Sequence, residues 1–217
     1  MISIISLLLI AQPDIGQTLL VVFCWAVLIF TSGINIYILL AIFIAGASLL
    51  AYLIIYVPRF DYIQGRIFSF FNRETGTHNF QSDKAIESIT SGGFFGKGIG
   101  EGVLKNRVPE AHTDYIISVI SEEFGVVAIM LILLLFLILI YMVFKKISFE
   151  TNDKVKLILI GSISLILMQA TIHVGVNIRL FPTTGMTLPF LSYGGSSIIS
   201  TSILAGIILN LTKRKIT

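Results

Sequence analysis

RVPEAHTDYIISVISEEFGVVAIMLILLLFLILIYMVF, residues 107–144, decides how the rest of the chain is read. A charged cluster with Glu110, His112 and Asp114 at alternate positions runs straight into 115–144, where the only ionised side chains are Glu122 and Glu123. As a helix rising 1.5 Å per residue, that segment is longer than the ~30 Å hydrocarbon layer of a bilayer. Carboxylates within such a helix are costly and tend to mark function.

Working outward, the whole chain has the same character. It has 217 residues, of which 55% are hydrophobic and 12% charged, against about 25% charged in a soluble domain. The mean hydropathy is +0.94. Period-2 alternation is absent and lipid is spanned only by helices or closed barrels. The fold class is therefore an all-α integral membrane protein, a polytopic bundle of transmembrane helices in a single membrane domain, 1–217. The net charge of +3 is small, and its basic ends suit a cytosolic membrane face rather than nucleic acid. Cys24 is the single cysteine, so no internal disulfide can form. No Cys/His metal spacing is present, and Cys24 reads as a buried thiol.

Residues 1–11 read as the tail of a transmembrane helix whose first half is missing, an N-terminally shortened chain. Asp14 in 12–17 can cap the next helix. Helices are expected at 18–31, 34–57, 115–144, 155–174 and 188–211. Between them, 58–113 is the long polar region, with seven Lys/Arg and six Asp/Glu. Arg59, Arg66 and Arg73 recur every seven residues with apolar residues between, the pattern of an interfacial amphipathic helix. A short helix is expected at 82–91, with Ser82 as its N-cap and Gly92 as its stop. The glycine-rich run 92–102, GGFFGKGIGEG, lacks the Ser or Thr that a P-loop places after Gly-Lys. It reads as a flexible loop on the membrane surface. Lys145, Lys146, Lys154, Lys156 and the basic run 213–215 lie on one side, which the positive-inside rule makes cytosolic. The loops 12–17, 58–113 and 177–187 then face outward.

On a helical wheel started at Asp114, the residues Ser118, Ser121, Glu122 and Gly125 share a face and Glu123 lies opposite. This predicts a polar stripe descending from the outer surface. Asp114 at its mouth could take a proton from a hydroxyl nucleophile; Glu122 and Glu123 could equally bind neighbouring helices. Gln169, His173 and Asn177 share a second face, read as an interhelical hydrogen-bond network or as part of a site. Hydroxyls and glycines in 183–197, among them Ser192 and Ser196, suit either an anionic ligand at a helix N-terminus or close helix packing.

PEAHTD (109–114) followed by SEEFG, with QPDIG (12–16) upstream and GMTLPFLSYGGSS (185–197) downstream, resembles the SEDS family of bacterial membrane glycosyltransferases. The resemblance runs over nearly the whole chain in the right order. The Ala in PEAHTD and the wording QPDIGQT lean toward its cell-division branch, FtsW, rather than its elongation branch, RodA. It implies a fold of about ten transmembrane helices, of which this chain holds the later part. It implies polymerisation of lipid II into peptidoglycan outside the bacterial cytoplasmic membrane, at the division septum, beside a class B penicillin-binding protein and other division proteins. Asp114 matches the family's catalytic aspartate, which would deprotonate a glycan 4-hydroxyl as undecaprenyl pyrophosphate leaves. Arg66, Lys97 and Arg107 are candidate pyrophosphate contacts, and Glu110, His112, Thr113, Ser118, Glu122, Ser192 and Ser196 are candidates for substrate binding. No cofactor is required, although a divalent cation, Mg or Mn, could assist at the pyrophosphate. Many FtsW sequences have Lys where this chain has Thr184; Arg179 could supply that charge. His173 stands where Asn is expected. A lipid II transporter, a non-catalytic division scaffold and a RodA-like polymerase are the competing readings.

Overall fold

The computed structural model describes residues 2–12, 14–71, 77–102 and 110–213, and these form helices joined by turns and loops. In order they are α1 (Ile2–Ala11), α2 (Ile15–Thr31), α3 (Ile36–Tyr56), α4 (Asp61–Phe71), α5 (Thr77–Gly92), α6 (Ile116–Phe149), α7 (Asp153–Asn177) and α8 (Gly195–Thr212), with one 3₁₀ turn, Pro58–Phe60, before α4. Among the described residues, α3, α6, α7 and α8 are long and apolar enough to cross a membrane. The 17 residues of α2 add a span of about 26 Å at 1.5 Å per residue.

Local chemistry explains the boundaries. Asp14 caps α2, its Oδ1 accepting from the Gln17 amide at 3.0 Å; Asn35 and Asn152 cap α3 and α7 in the same way. Pro58 ends α3, holding Val57 extended, as a residue before proline prefers. The helix expected at 115–144 runs on to Phe149, and Lys146 in its last turn pairs with Glu150 at 3.2 Å. Two expectations are corrected. α5 begins at Thr77, so Ser82 is no cap but a buried residue on its inner face. The last helix starts at Gly195 and not at 188, because Phe190 takes a left-handed backbone, φ 68°. There the Ser192 hydroxyl also satisfies the Leu188 amide at 2.8 Å.

α7 is the most enclosed of the spans, packed by α2, α6 and α8. One buried cluster joins Leu20 of α2 and Ala85 of α5 to Tyr115, Val119, Ile172, Val176 and Met186. A second, toward the other membrane face, joins Val143, Leu159, Ile163, Ile166 and Ile208. α3 presents nearly all of its apolar surface outward, as a lipid-facing helix does.

α6 is broken at Gly125, whose φ of 77° and ψ of −178° are not helical. The backbone groups freed by the break are taken by the glycine-rich run. Lys97 and Gly98 donate their amides to the carbonyls of Glu122 and Glu123, at 2.9 and 3.0 Å. In return Val126 and Val127 donate theirs to Gly93 and Phe94, at 3.0 and 3.3 Å. A Cβ at Gly125 would lie 2.2 Å from the Phe94 carbonyl oxygen, so only glycine fits. The run expected to be a flexible surface loop is therefore a plug seated in a helix break. The unbroken part of α6, 126–149, is itself about 36 Å long at 1.5 Å per residue, enough to span a bilayer. Glu122 and Glu123 thus precede this segment rather than interrupt it.

Candidate active site

One end of the bundle gathers the start of α2, all of α4, the turn before α6, the end of α7 and the loop 178–194. Residues 110–115 form tight turns, with the Thr113 and Asp114 amides donating to the Glu110 carbonyl at 3.1 and 3.0 Å. Asp114 is therefore not on the helix, and the predicted stripe divides. Its lower part, Ser118, Ser121 and Glu122, is fully buried under α5. Ser88 of α5 donates to the Ser118 carbonyl at 3.1 Å and to Glu122 Oε2 at 3.2 Å. Ser121 donates to the Ile89 carbonyl at 3.3 Å. Lys97 Nζ lies 3.3 Å from Glu122 Oε1. Ser118, Glu122 and Lys97 together form the α5–α6 seam, not a path opening from the surface.

Asp114 faces elsewhere. Asn177 at the end of α7 donates to its carbonyl at 3.0 Å, while Ser192 and the Tyr193 amide donate to the carbonyls of Thr113 and His112 at 2.7 and 2.9 Å. The Asp114 backbone is thus pinned on both sides. A Cβ at Gly185 would lie 3.6 Å from Asp114 Oδ2, and Gly185 has φ 71°, so glycine lets the loop turn tightly beside the carboxylate. Burial raises the Asp114 pKa above the usual carboxylate range; the Glu110 charge adds to this and the Arg66 guanidinium opposes it. Tyr115 next to it is buried, with its hydroxyl unpartnered. Burial, with a smaller contribution from the Asp114 charge, pushes its pKa up to about 12.

Arg66 comes from α4. Its Nη1 donates to the Thr183 carbonyl at 2.8 Å, and its guanidinium lies 4.3 Å from the Tyr62 ring centroid. Burial lowers its pKa, and the charges of Asp114, Tyr115 and Asp14 act against that. A cleft of about 420 Å³ opens beside it, lined by Gln12, Asp14, Ile15, Tyr62, Arg66 and Thr184. Arg66 Nε and Thr184 Oγ1 are buried without partners, polar groups that an acceptor-rich ligand could satisfy. Arg179, with φ 62°, pairs instead with Asp83 of α5.

Of the candidates read from sequence, Arg66 lines this cleft and Asp114 is near enough for its charge to act on Arg66, with Glu110 and Thr113 on the turn beside Asp114. Glu110 is occupied in accepting from the Thr113 hydroxyl at 2.9 Å. His112 is exposed and contributes its carbonyl. Ser192 is a buried clamp, and Ser196 is exposed in the first turn of α8. Arg107 lies outside the described residues. Sequence reasoning missed Tyr62 and Tyr115, singled out Thr184 as the position of a lost cation, and took Asp14 only as a cap. Spacing could have found Tyr62, one helical turn before Arg66. Along α7 the expected network is present. Gln169 donates to the Thr187 carbonyl at 2.9 Å and the Ser197 hydroxyl at 3.2 Å, and His173 Nδ1 lies 2.7 Å from the Met186 carbonyl oxygen.

A family model described as "Cell cycle protein" and covering FtsW, RodA and SpoVE matches residues 1–216. The chain belongs to this FtsW/RodA/SpoVE family. It is 36% identical over 210 residues to a probable peptidoglycan glycosyltransferase FtsW of Caulobacter vibrioides, covering 96% of this chain and 52% of the relative. It is 32% identical over 225 residues to one of Enterococcus hirae, covering 98% and 57%. Two solved structures share the fold. One comes from a study of polymerization and crosslinking by a peptidoglycan synthase complex, with TM-score 0.72, 28% identity and coverage of 98% of this chain and 60% of the other. The other is a mutant of the rod shape determining protein RodA of Thermus thermophilus, with TM-score 0.60, 29% identity and coverage of 96% and 52%. The chain spans about half the length of the curated relatives it matches. Its family and apolar helices make it a multi-pass membrane protein.

Proposed function

We propose that the chain carries the catalytic half of a peptidoglycan glycosyltransferase of the FtsW type, polymerising lipid II at the outer face of a bacterial cytoplasmic membrane during division. The observation that carries this reading is a half-buried carboxylate, Asp114, on a backbone pinned from α7 and the 183–193 loop, its charge felt by the Arg66 guanidinium, which lines a cleft. A carboxylate with a raised pKa is suited to general-base work. Asp114 takes the proton from the 4-hydroxyl of an acceptor sugar, and that oxygen attacks the anomeric carbon of a lipid-linked donor. The carbon–phosphate oxygen bond breaks, and polyprenyl pyrophosphate leaves with the bonding electrons. Arg66 stabilises the charge that develops on the pyrophosphate.

Among the described residues no group of three His, Cys, Asp or Glu side chains could hold a metal ion. A Mg or Mn ion assisting the leaving group would take most of its oxygens from pyrophosphate and water, as Mg²⁺ commonly does. The relative in the synthase complex acts beside a crosslinking activity, which favours a class B penicillin-binding protein as partner here. The transporter reading can draw on the break in α6. The freed backbone groups there are filled by 93–98, however, instead of lining a cavity as in broken transporter helices.

The test is polymerisation of purified lipid II by the chain, reconstituted with a penicillin-binding protein and any polypeptide that supplies the family's earlier helices. Asp114→Asn is expected to lower the rate at least about 10²-fold, the usual range for a general base. A mutant that still makes glycan at the wild-type rate removes Asp114 from the chemistry. Absence of glycan from the wild-type mixture favours the scaffold, and movement of fluorescent lipid II across vesicles favours the transporter.

A further inference from the structure

The glycine-rich run seated in the α6 break has two faces. The inner face is polar. The Lys97 and Gly98 amides donate to the Glu122 and Glu123 carbonyls, the Gly93 and Phe94 carbonyls accept from Val126 and Val127, and the Gly100 amide donates to Glu123 Oε1 at 3.2 Å. The Lys97 ammonium turns the same way, toward Glu122. The outer face is apolar. Phe94, Phe95 and Ile99 are 75%, 85% and 79% exposed, so they protrude from the bundle instead of packing into it. Phe124 and Val127, on the stretch of α6 that the run crosses, are exposed as well. The height of this face follows from α6. Lys145, exposed near the far end of that helix, marks one boundary of the hydrocarbon. Gly125 lies about 30 Å along the helix from it at 1.5 Å per residue, the thickness of the hydrocarbon layer. The break and the run seated in it therefore stand at the opposite boundary, where acyl chains meet head groups.

We propose that Phe94, Phe95 and Ile99 form a wedge that inserts into the leaflet opposite the basic end of α6, with membrane lipid as its partner. Three features select lipid. Backbone groups enter the edge of the hydrocarbon only when they are paired, and the run pairs its amides and carbonyls with α6 on the side away from the three apolar side chains. Apolar side chains of interfacial segments sink about 5–10 Å into the boundary between head groups and acyl chains, which is the depth at which α6 holds the run. Side chains this exposed protrude from a glycine-rich turn and do not line a groove, a form that suits a fluid partner better than a folded one. The wedge holds the α6 break at the membrane boundary. Glu122, Glu123 and the Asp114 turn, which precede the break, then stay on the head-group side of it. This role does not depend on the polymerase reading.

The experiment is depth-dependent quenching of a single tryptophan in the 217-residue chain, reconstituted in phosphatidylcholine vesicles. Trp25 is the chain's own tryptophan, so the background is Trp25→Phe, and Phe95→Trp or Ile99→Trp supplies the probe. Both positions are exposed, so each variant keeps the unfolding midpoint of its parent, and each serves as the second test of the other. Expected is a blue-shifted emission, quenched more strongly by lipid brominated close to the head group than by lipid brominated near the chain ends. Aqueous iodide should quench it less than it quenches free N-acetyltryptophanamide. Leu134→Trp, exposed in the middle of the span, is the depth reference and should reverse the order of the two brominated lipids. Emission from 95 and 99 that iodide quenches as strongly as the free amide overturns the proposal, because the run then lies in water. Quenching by neither iodide nor brominated lipid overturns it too, and puts a protein surface, a second copy or another chain, over the run.

Discussion

In the proposed reaction the chemistry turns on Asp114 and Arg66, and each makes a prediction. Burial raises the Asp114 pKa. A general base works only when ionised, so activity should fall as pH drops through that raised value. The acid limb of the polymerisation rate should therefore lie above the ordinary Asp pKa of about 3.9. Arg66 opposes this rise. Arg66→Gln should move the acid limb further up in pH, and Arg66→Lys should restore part of its position. A pH–rate profile of the three proteins measures both effects; an unmoved limb in Arg66→Gln would mean that the two charges are not coupled.

At the scale of elements, the decisive feature is the exchange between α6 and the run 93–98. Gly125→Ala combines a left-handed φ with a 2.2 Å clash against the Phe94 carbonyl and should destabilise the fold by about 1–3 kcal/mol. The loss is read as a lower midpoint of thermal unfolding, and hydrogen exchange should place it in α5 and the first part of α6. Lys97 offers a second test. Glu122 is fully buried and Lys97 partly exposed, so Lys97→Met should cost about 2 kcal/mol, less than for a fully buried pair. Lys97→Met with Glu122→Leu should recover most of it, because the buried carboxylate is removed together with its cation. A change in lipid II KM at unchanged stability would instead return Lys97 to the substrate site.

On the scale of the whole molecule, Asp114 precedes α6 and Phe149 ends it, so the two lie at opposite ends of a membrane-length helix. If the positive-inside rule holds for this chain, cysteine replacing exposed His112, in a Cys24→Ala background, reacts with a membrane-impermeant maleimide added to intact cells. Cysteine at Phe149, 78% exposed, should react only after the cells are opened. The reverse pattern would put Asp114 in the cytosol and remove the extracellular polymerase.

Hydropathy alone marked the membrane bundle, because 126–149 can be stable only in lipid or in a large apolar core, and the chain is too uniformly apolar for the latter. The Asp14 cap was legible for the same local reason, since it meets an amide within a turn of itself, whereas the cap expected at Ser82 was not, because α5 begins a turn earlier. The charges clustered around Asp114 were legible as a feature that hydrophobic burial at the head of a span does not explain, and their chemistry is the proposal made above. What lay beyond sequence were the long-range partners. A helical wheel assumes one continuous helix, and it joined Asp114 to Glu122 across a turn that tertiary hydrogen bonds from Asn177 and Ser192 reshape. The fate of the glycine-rich run depended on a helix break 30 residues away in sequence, which no local pattern encodes. That Arg66 meets the cleft while Lys97 is spent on Glu122 was decided by packing, because both are cations in one polar region and only the fold determines which carboxylate each can reach.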